Sequence, residues 1–360
     1  MANQSSCILK RKSLREALYA NAIMAPHRDQ FSGCLIGQCL GDAAGFVVEG
    51  FSPEACKRYV EDFLKTEKAG DFGRFPCPFG QYSDDSQLAR ELIQSYVACK
   101  KFDPGDYAER IKLIFAEKRI VGFGYSTKEA AKRLARGISW EESGTPPPSA
   151  GNGSAMRAAP VGLIFFDDPK SLIQAAHDQG RITHKDPRSS AGAVAVSGAV
   201  GLALQEKTIN VESFISTLAD WTNTIEPAFS SELKKLIGWL SMPPEEAVTF
   251  ISRAGLYADY VDEDEWKGIS AFVISSVLWS LYSFLRTPDD YWETICTAIG
   301  AGGDTDTTAA MAGAISGAYL GIGAIPSHLS CCLTDRGTWG FDELVGLAHR
   351  CYEIKMQQIQ

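Results

Sequence analysis

The chain has 360 residues, 45% hydrophobic and 22% charged, an ordinary globular balance that supplies a sizeable core in one large domain or two of usual size. Its formal net charge of −9 speaks against general nucleic-acid or acidic-membrane binding, because phosphate backbones are held mainly by excess Lys and Arg. An anionic ligand must then be held locally, by a metal, backbone N–H groups or a few chosen cations.

Residues 1–30 read as a basic helical extension, Leu9 to Ala22, ending before Pro26. It is either a capping helix on the core or an arm that docks a protein partner. With Lys10, Arg11, Lys12 and Arg15 it lacks the apolar stretch and cleavage site of a secretory signal. Ten cysteines are scattered without a CxxC pair, and adjacent Cys331 and Cys332 are poorly placed to bridge each other, so free thiols are expected. Together these point to a cytoplasmic protein, with delivery to another cell left open.

Phe31 to Gly50 is a Gly/Ala-rich helix with Gly33, Gly37, Gly41 and Gly45 every four residues, carrying the acids Asp42 and Glu49. Glycine weakens a helix, so a whole face of it means very tight packing against a neighbour. The segment is too polar and too short for a membrane dimer. An irregular stretch follows, and then Ser83-Asp84-Asp85-Ser86 opens a second helix with Leu88, Leu92, Ile93, Tyr96 and Val97 at helical spacing. Two readings stand here. Asp and Ser are good N-caps, but adjacent carboxylates repel each other and are easier to explain with a cation between them.

Asp103-Pro104 opens the next helix, and Ser126 to Glu129 reads as a capping box for another that Gly137 stops. Pro146 to Pro148 leads stiffly into Gly151-Asn152-Gly153-Ser154, a loop before a helix whose N–H groups suit phosphate, although a plain turn fits as well. Asp168-Pro169 starts a further helix. His184 sits in a loop before an Ala/Val-rich helix, free to stack on a ligand or to serve structure alone. Amphipathic helices are expected at 210–222, 230–241 and 243–254, then from Lys267 to Arg286, from Pro288 to Gly300 and from Asp342 to Gln357. Gly268 to Leu285 is uncharged but carries five serines, which marks a buried helix rather than a membrane span.

Between the last of these lies Gly302-Gly303-Asp304-Thr305-Asp306-Thr307-Thr308, followed by Ala309, Ala310, Ala312, Gly313, Ala314, Gly317 and Ala318 on one helix side. Asp304, Asp306 and the Thr307 hydroxyl are hard oxygen ligands suited to Mg²⁺, Mn²⁺ or Ca²⁺ rather than zinc, with helix capping as the alternative. No alternating strand pattern, repeat or low-complexity linker is present. The expected architecture is all-α, one compact orthogonal multi-helix domain over residues 31–360.

In order, the strings GDAAGFVVE, YSDDS, GNGSAMRAAP and GGDTDTTAAMAGAISGAYLG resemble the ADP-ribosylglycohydrolase family, from about Phe31 to Ile325-Pro326. The resemblance implies two Mg²⁺ ions, with Mn²⁺ as an alternative, held by Ser83, Asp84, Asp85, Asp304, Asp306 and Thr307. It places Glu49, Asp84, Asp85 and Asp306 in catalysis, Glu49 beside the scissile bond. It also implies that Gly151, Asn152, Gly153, Ser154 and His184 hold the ADP-ribosyl group. The substrate would be an ADP-ribosylated protein, with ADP-ribose as product and arginine the leading acceptor ahead of serine or another O-linked site. Ser83 stands where threonine is usual. The stretches 51–80 and 206–266 match nothing in the family that we can read. A non-catalytic, crystallin-like ADP-ribose binder and a two-metal phosphoesterase are the competing classes; release of intact ADP-ribose separates both from the glycohydrolase.

Overall fold

Glycine at every fourth position from Gly33 to Gly45 leaves one helix face without side chains, and the fold is built on that face. The computed structural model describes residues 26–256 and 267–359, so the arm Leu9 to Ala22 lies outside the described residues. Within them the chain forms sixteen α-helices. The first eight are α1 (Arg28–Phe46), α2 (Pro53–Tyr59), α3 (Asp84–Cys99), α4 (Pro104–Ala116), α5 (Tyr125–Ala135), α6 (Ala159–Phe165), α7 (Pro169–Arg181) and α8 (Pro187–Ala203). The rest are α9 (Val211–Asn223), α10 (Pro227–Trp239), α11 (Pro244–Ile251), α12 (Val273–Arg286), α13 (Tyr291–Gly300), α14 (Thr305–Leu320), α15 (Ser327–Ser330) and α16 (Phe341–Ile359). Pairing of β type among the described residues is limited to isolated bridges. The architecture is all-α, as expected.

The partner of the glycine face is the small-residue helix α14. A Cβ on Gly33 would strike the Gly317 carbonyl, one on Gly37 the Gly313 carbonyl, one on Gly41 the Ala309 carbonyl and one on Gly45 the Thr305 carbonyl. Residue numbers rise on one helix as they fall on the other, so α1 and α14 run antiparallel with backbones in direct contact. Both are buried along nearly their whole length. An antiparallel pair in this register sets the C-terminal end of α1, with Asp42 inside it and Glu49 in the turn just past it, beside the N-terminal end of α14, with Asp304 and Asp306.

Local sequence fixes the other helix starts. Asp103, Asp168, Asp186, Asn210 and Asp290 each accept backbone N–H bonds at an N-cap, and prolines follow the first three at the first helical position. Two expectations change. The helix containing Ser126 starts after Gly124 without a side-chain cap; Ser126 already lies inside α5, where its hydroxyl meets that of Ser149 at 3.1 Å. The helix expected from Lys267 begins only at Val273. The residues ahead of it are extended because their backbone is used elsewhere: Ile269 bonds with Gly302 and Asp304, and Ala271 with Asn152. These bonds tie the two glycine-bearing loops to one strut. The nine described cysteines are unpaired, as expected, and no described helix is long and apolar enough to cross a membrane.

Candidate active site

Two helix starts and one helix end converge. At the start of α3, Ser83 behaves as a cap: its Oγ accepts from the Asp85 N–H and donates to Asp85 Oδ2 at 2.8 Å. At the start of α14, Asp304 occupies the cap position without capping. Its Oδ2 instead accepts a 2.6 Å bond from Asn152 Nδ2. Capping therefore explains the first acid pair in part and leaves the second to another purpose.

Asp42 is the residue that sequence reading passed over. Its Oδ1 accepts from the Ser83 N–H at 2.8 Å and its Oδ2 from the Ser86 N–H at 3.0 Å. A carboxylate from α1 thus grips the first turn of α3 and fixes where Asp84 and Asp85 stand. The signal was faint but present: Asp42 is the one charge in an otherwise uncharged run from Gln30 to Val48.

The side chains come together in two groups. Single carboxylate oxygens of Asp42, Asp85 and Asp306 lie within 4.8 Å of one another, and so do those of Glu49, Asp304 and Asp306. Asp306 belongs to both. Burial raises every one of the aspartates: Asp304 is pushed up to about 6, Asp42 to about 7 and Asp84 to about 8. Asp85 and Asp306 go well above the ordinary carboxylate range, again through burial first and neighbouring negative charge second. Asp84 Oδ2 and Asp85 Oδ1 are buried without a hydrogen-bond partner. Buried acceptors at that density are costly unless a cation meets them. The donors are all oxygen, so a hard divalent ion fits the residues present, and the shared Asp306 fits two ions side by side.

Beside the acids lies the glycine loop. Gly151 and Gly153 pack on the His184 imidazole so closely that a Cβ on Gly153 would sit 2.7 Å from its Cε1. Ser154 turns its hydroxyl to the Ser189 carbonyl, 2.9 Å away, so the side of the loop facing the acids consists of Asn152 and backbone. Buried Arg157 donates from Nη2 to the Thr183 hydroxyl at 2.8 Å, and Thr183 Oγ1 lies 2.8 Å from His184 Nδ1. Arg157 fills one of the two acceptor sites on the Thr183 hydroxyl, and Nδ1 at 2.8 Å is a closer acceptor for its proton than the Gly180 carbonyl at 3.5 Å. That geometry favours the ring proton on Nε2, on the side of Gly151 and Gly153. Burial, with the Arg157 charge second, lowers the imidazole to about 3 and keeps it neutral. His184 is therefore a buried, uncharged ring held against the two glycines.

Glu49 differs from the aspartates it joins in being partly exposed. A third of its side chain is exposed, and it pairs with Arg74 of the loop before Ser83. The Gly50 N–H bonds to the Gly303 carbonyl at 2.8 Å, which anchors the residue after Glu49 to the turn carrying Asp304.

An all-helical domain that gathers five acids in two groups sharing one carboxylate, with a phosphate-suited loop alongside, is equipped for metal-assisted hydrolysis. The chain belongs to the ADP-ribosylglycohydrolase family, whose sequence profile matches residues 24–359. It is 29% identical over 378 residues to ADP-ribosylhydrolase ARH3 of Gallus gallus, covering 93% of this chain and 95% of that one. It is 26% identical over 304 residues to the ADP-ribosyl-[dinitrogen reductase] glycohydrolase of Rhodospirillum rubrum, covering 83% and 88%. A solved structure titled "ADP-ribosylglycohydrolase-related protein complex" shares the fold, with a TM-score of 0.68 at 24% identity over 91% of this chain and 99% of that one. The protein is thus a glycosidic-bond hydrolase that removes ADP-ribose from modified substrates.

Proposed function

We infer that this enzyme releases mono-ADP-ribose from modified protein side chains at a two-ion Mg²⁺ centre, with Mn²⁺ as an alternative ion. The observation that carries the reading is the pair of carboxylate groups joined by Asp306. In it, Asp84, Asp85, Asp304 and Asp306, with the hydroxyls of Ser83 and Thr307, hold the ions. Bound there, divalent ions supply Lewis acidity and orient the ribose hydroxyls.

The chain's own groups do the rest. Asn152, fixed on Asp304, and the backbone of Gly151 and Gly153 receive the diphosphate and its riboses. His184 offers its Nε2–H without adding charge. In this reading Glu49, whose carboxylate adjoins those of Asp304 and Asp306, holds the attacking water or takes its proton. In the reaction the water oxygen bonds to the anomeric carbon, the bond to the acceptor atom breaks, and the proton ends on the acceptor. Carboxylates close to the sugar favour the positive charge that develops there.

The test is ADP-ribose release from modified protein with Mg²⁺ and with a chelator, on wild type and Asp304→Asn. Intact ADP-ribose, lost with the chelator and reduced about a hundredfold or more in the variant, supports the reading. AMP or phosphate as product, or unchanged turnover in a folded variant, defeats it. The extension 1–30 as a docking arm and residues 31–360 as the catalytic unit remain part of this proposal.

A further inference from the structure

The acids are not equally deep. Asp84, Asp85, Asp304 and Asp306 are between 2 and 6% exposed, whereas the Glu49 side chain is 33% and that of Arg74 40% exposed. Of the acids in the two groups, Glu49 is thus the one nearest solvent, and Arg74 is paired with it there. The glycine loop and His184 flank the centre on the side of Asp304, through the bond from Asn152. A substrate whose ADP-ribosyl part lies along that loop sends its acceptor side chain outward past Arg74, because the rest of a protein substrate has to stay outside.

Arg74 is held in place there. Besides Glu49, its Nη1 reaches the Phe46 carbonyl at 3.2 Å, and its guanidinium lies 4.7 Å from the Phe46 ring centroid. Three partners hold a cation more firmly than a lone surface ion pair does. Its position satisfies the Glu49 carboxylate that an incoming guanidinium would otherwise seek.

We propose that Arg74 sets acceptor specificity, admitting a neutral O-linked acceptor of the serine type and disfavouring the cationic guanidinium of ADP-ribosylarginine. This deepens the functional reading above and rests on it. An O-glycoside brings no charge to Arg74. A modified arginine brings a second delocalised cation to the same opening, and like charges a few ångströms apart in a partly desolvated site repel strongly. Specificity here comes from what the site repels as much as from what it binds. The chemistry is one hydrolysis in both cases: water oxygen to the anomeric carbon, the C–O bond to serine broken, and the water proton on the serine oxygen.

The experiment compares kcat/KM on two matched peptides carrying a single ADP-ribosyl group, one on serine and one on arginine, for the full chain with Mg²⁺. Wild type is expected to prefer the serine-linked peptide by about tenfold or more. Arg74→Gln is expected to narrow that ratio about tenfold, chiefly by improving use of the arginine-linked peptide, while Arg74→Lys keeps the preference. A structural defect lowers both rates together and leaves the ratio where it was, so an unchanged ratio in Arg74→Gln overturns the proposal. A wild-type preference for the arginine-linked peptide also overturns it. Absence of release from both peptides by wild type defeats the functional reading itself, which is a different result.

Discussion

The Thr305 hydroxyl donates a 2.8 Å hydrogen bond to the Gly45 carbonyl, at the point where α1 and α14 bring their acidic ends together. The bond is short because Gly45 has no side chain to hold the helices apart. Four residues further up, Gly41 meets the Ala309 carbonyl in the same way.

Gly41→Ala should therefore destabilise the protein by about 1–3 kcal/mol, since the added methyl meets backbone that cannot swing aside. Gly238→Ala in α10 is the control, because nothing lies within 4 Å of its Cβ position. There the exchange should be neutral or stabilise by up to about 1 kcal/mol. Urea denaturation of the two variants checks this, and equal effects would refute the close helix contact.

The raised aspartates predict how cation binding depends on pH. A carboxyl whose folded value lies above its unfolded value favours the folded state only while protonated. That contribution is present below about 4 and is lost as pH rises through about 6 to 8, the values of Asp304, Asp42 and Asp84. A divalent ion replaces those protons, so the rise in Tm on adding Mg²⁺ should be several degrees larger at pH 8 than at pH 5.5. Scanning fluorimetry with Mg²⁺ and with chelator measures it; the same shift at both pH values would contradict the site.

Thr183 links Arg157 to His184 and so biases which ring nitrogen carries the proton. Thr183→Val keeps the shape and removes the hydroxyl. ADP-ribose affinity should weaken about three- to tenfold, the worth of one directed hydrogen bond. Thr183→Ser should bind as wild type does. Calorimetry with ADP-ribose decides between them, and tight binding by the valine variant would detach this chain of bonds from ligand recognition.

Much of this was open to reading in the sequence, and the gaps have physical causes. The Asp-Pro helix starts, the glycine face and the acid-bearing turns are local signals, set by backbone angles and capping chemistry within a few residues. The late start of α12 was hidden because Ile269, Ala271 and Phe272 continue the apolar run of the helix; Ile269 and Ala271 stay outside it with their backbone bonded to Gly302, Asp304 and Asn152. Asp42 reads as one acid on a helix until Ser83 and Ser86 are seen donating to it.

The sequence by itself determined an all-helical chain, the family it belongs to and the kinds of ligand atoms it carries, because motif strings and helix periodicity are properties of neighbouring residues. Only the tertiary structure decided that Asp306 is shared between two acid groups, that Asp42 anchors the turn bearing Asp84, and that Arg74 stands against Glu49. The first arises where two glycine-lined backbones touch, between residues more than two hundred positions apart; the other two join residues 41 and 25 positions apart across separate segments, and none of these contacts leaves a mark on the local pattern of either partner.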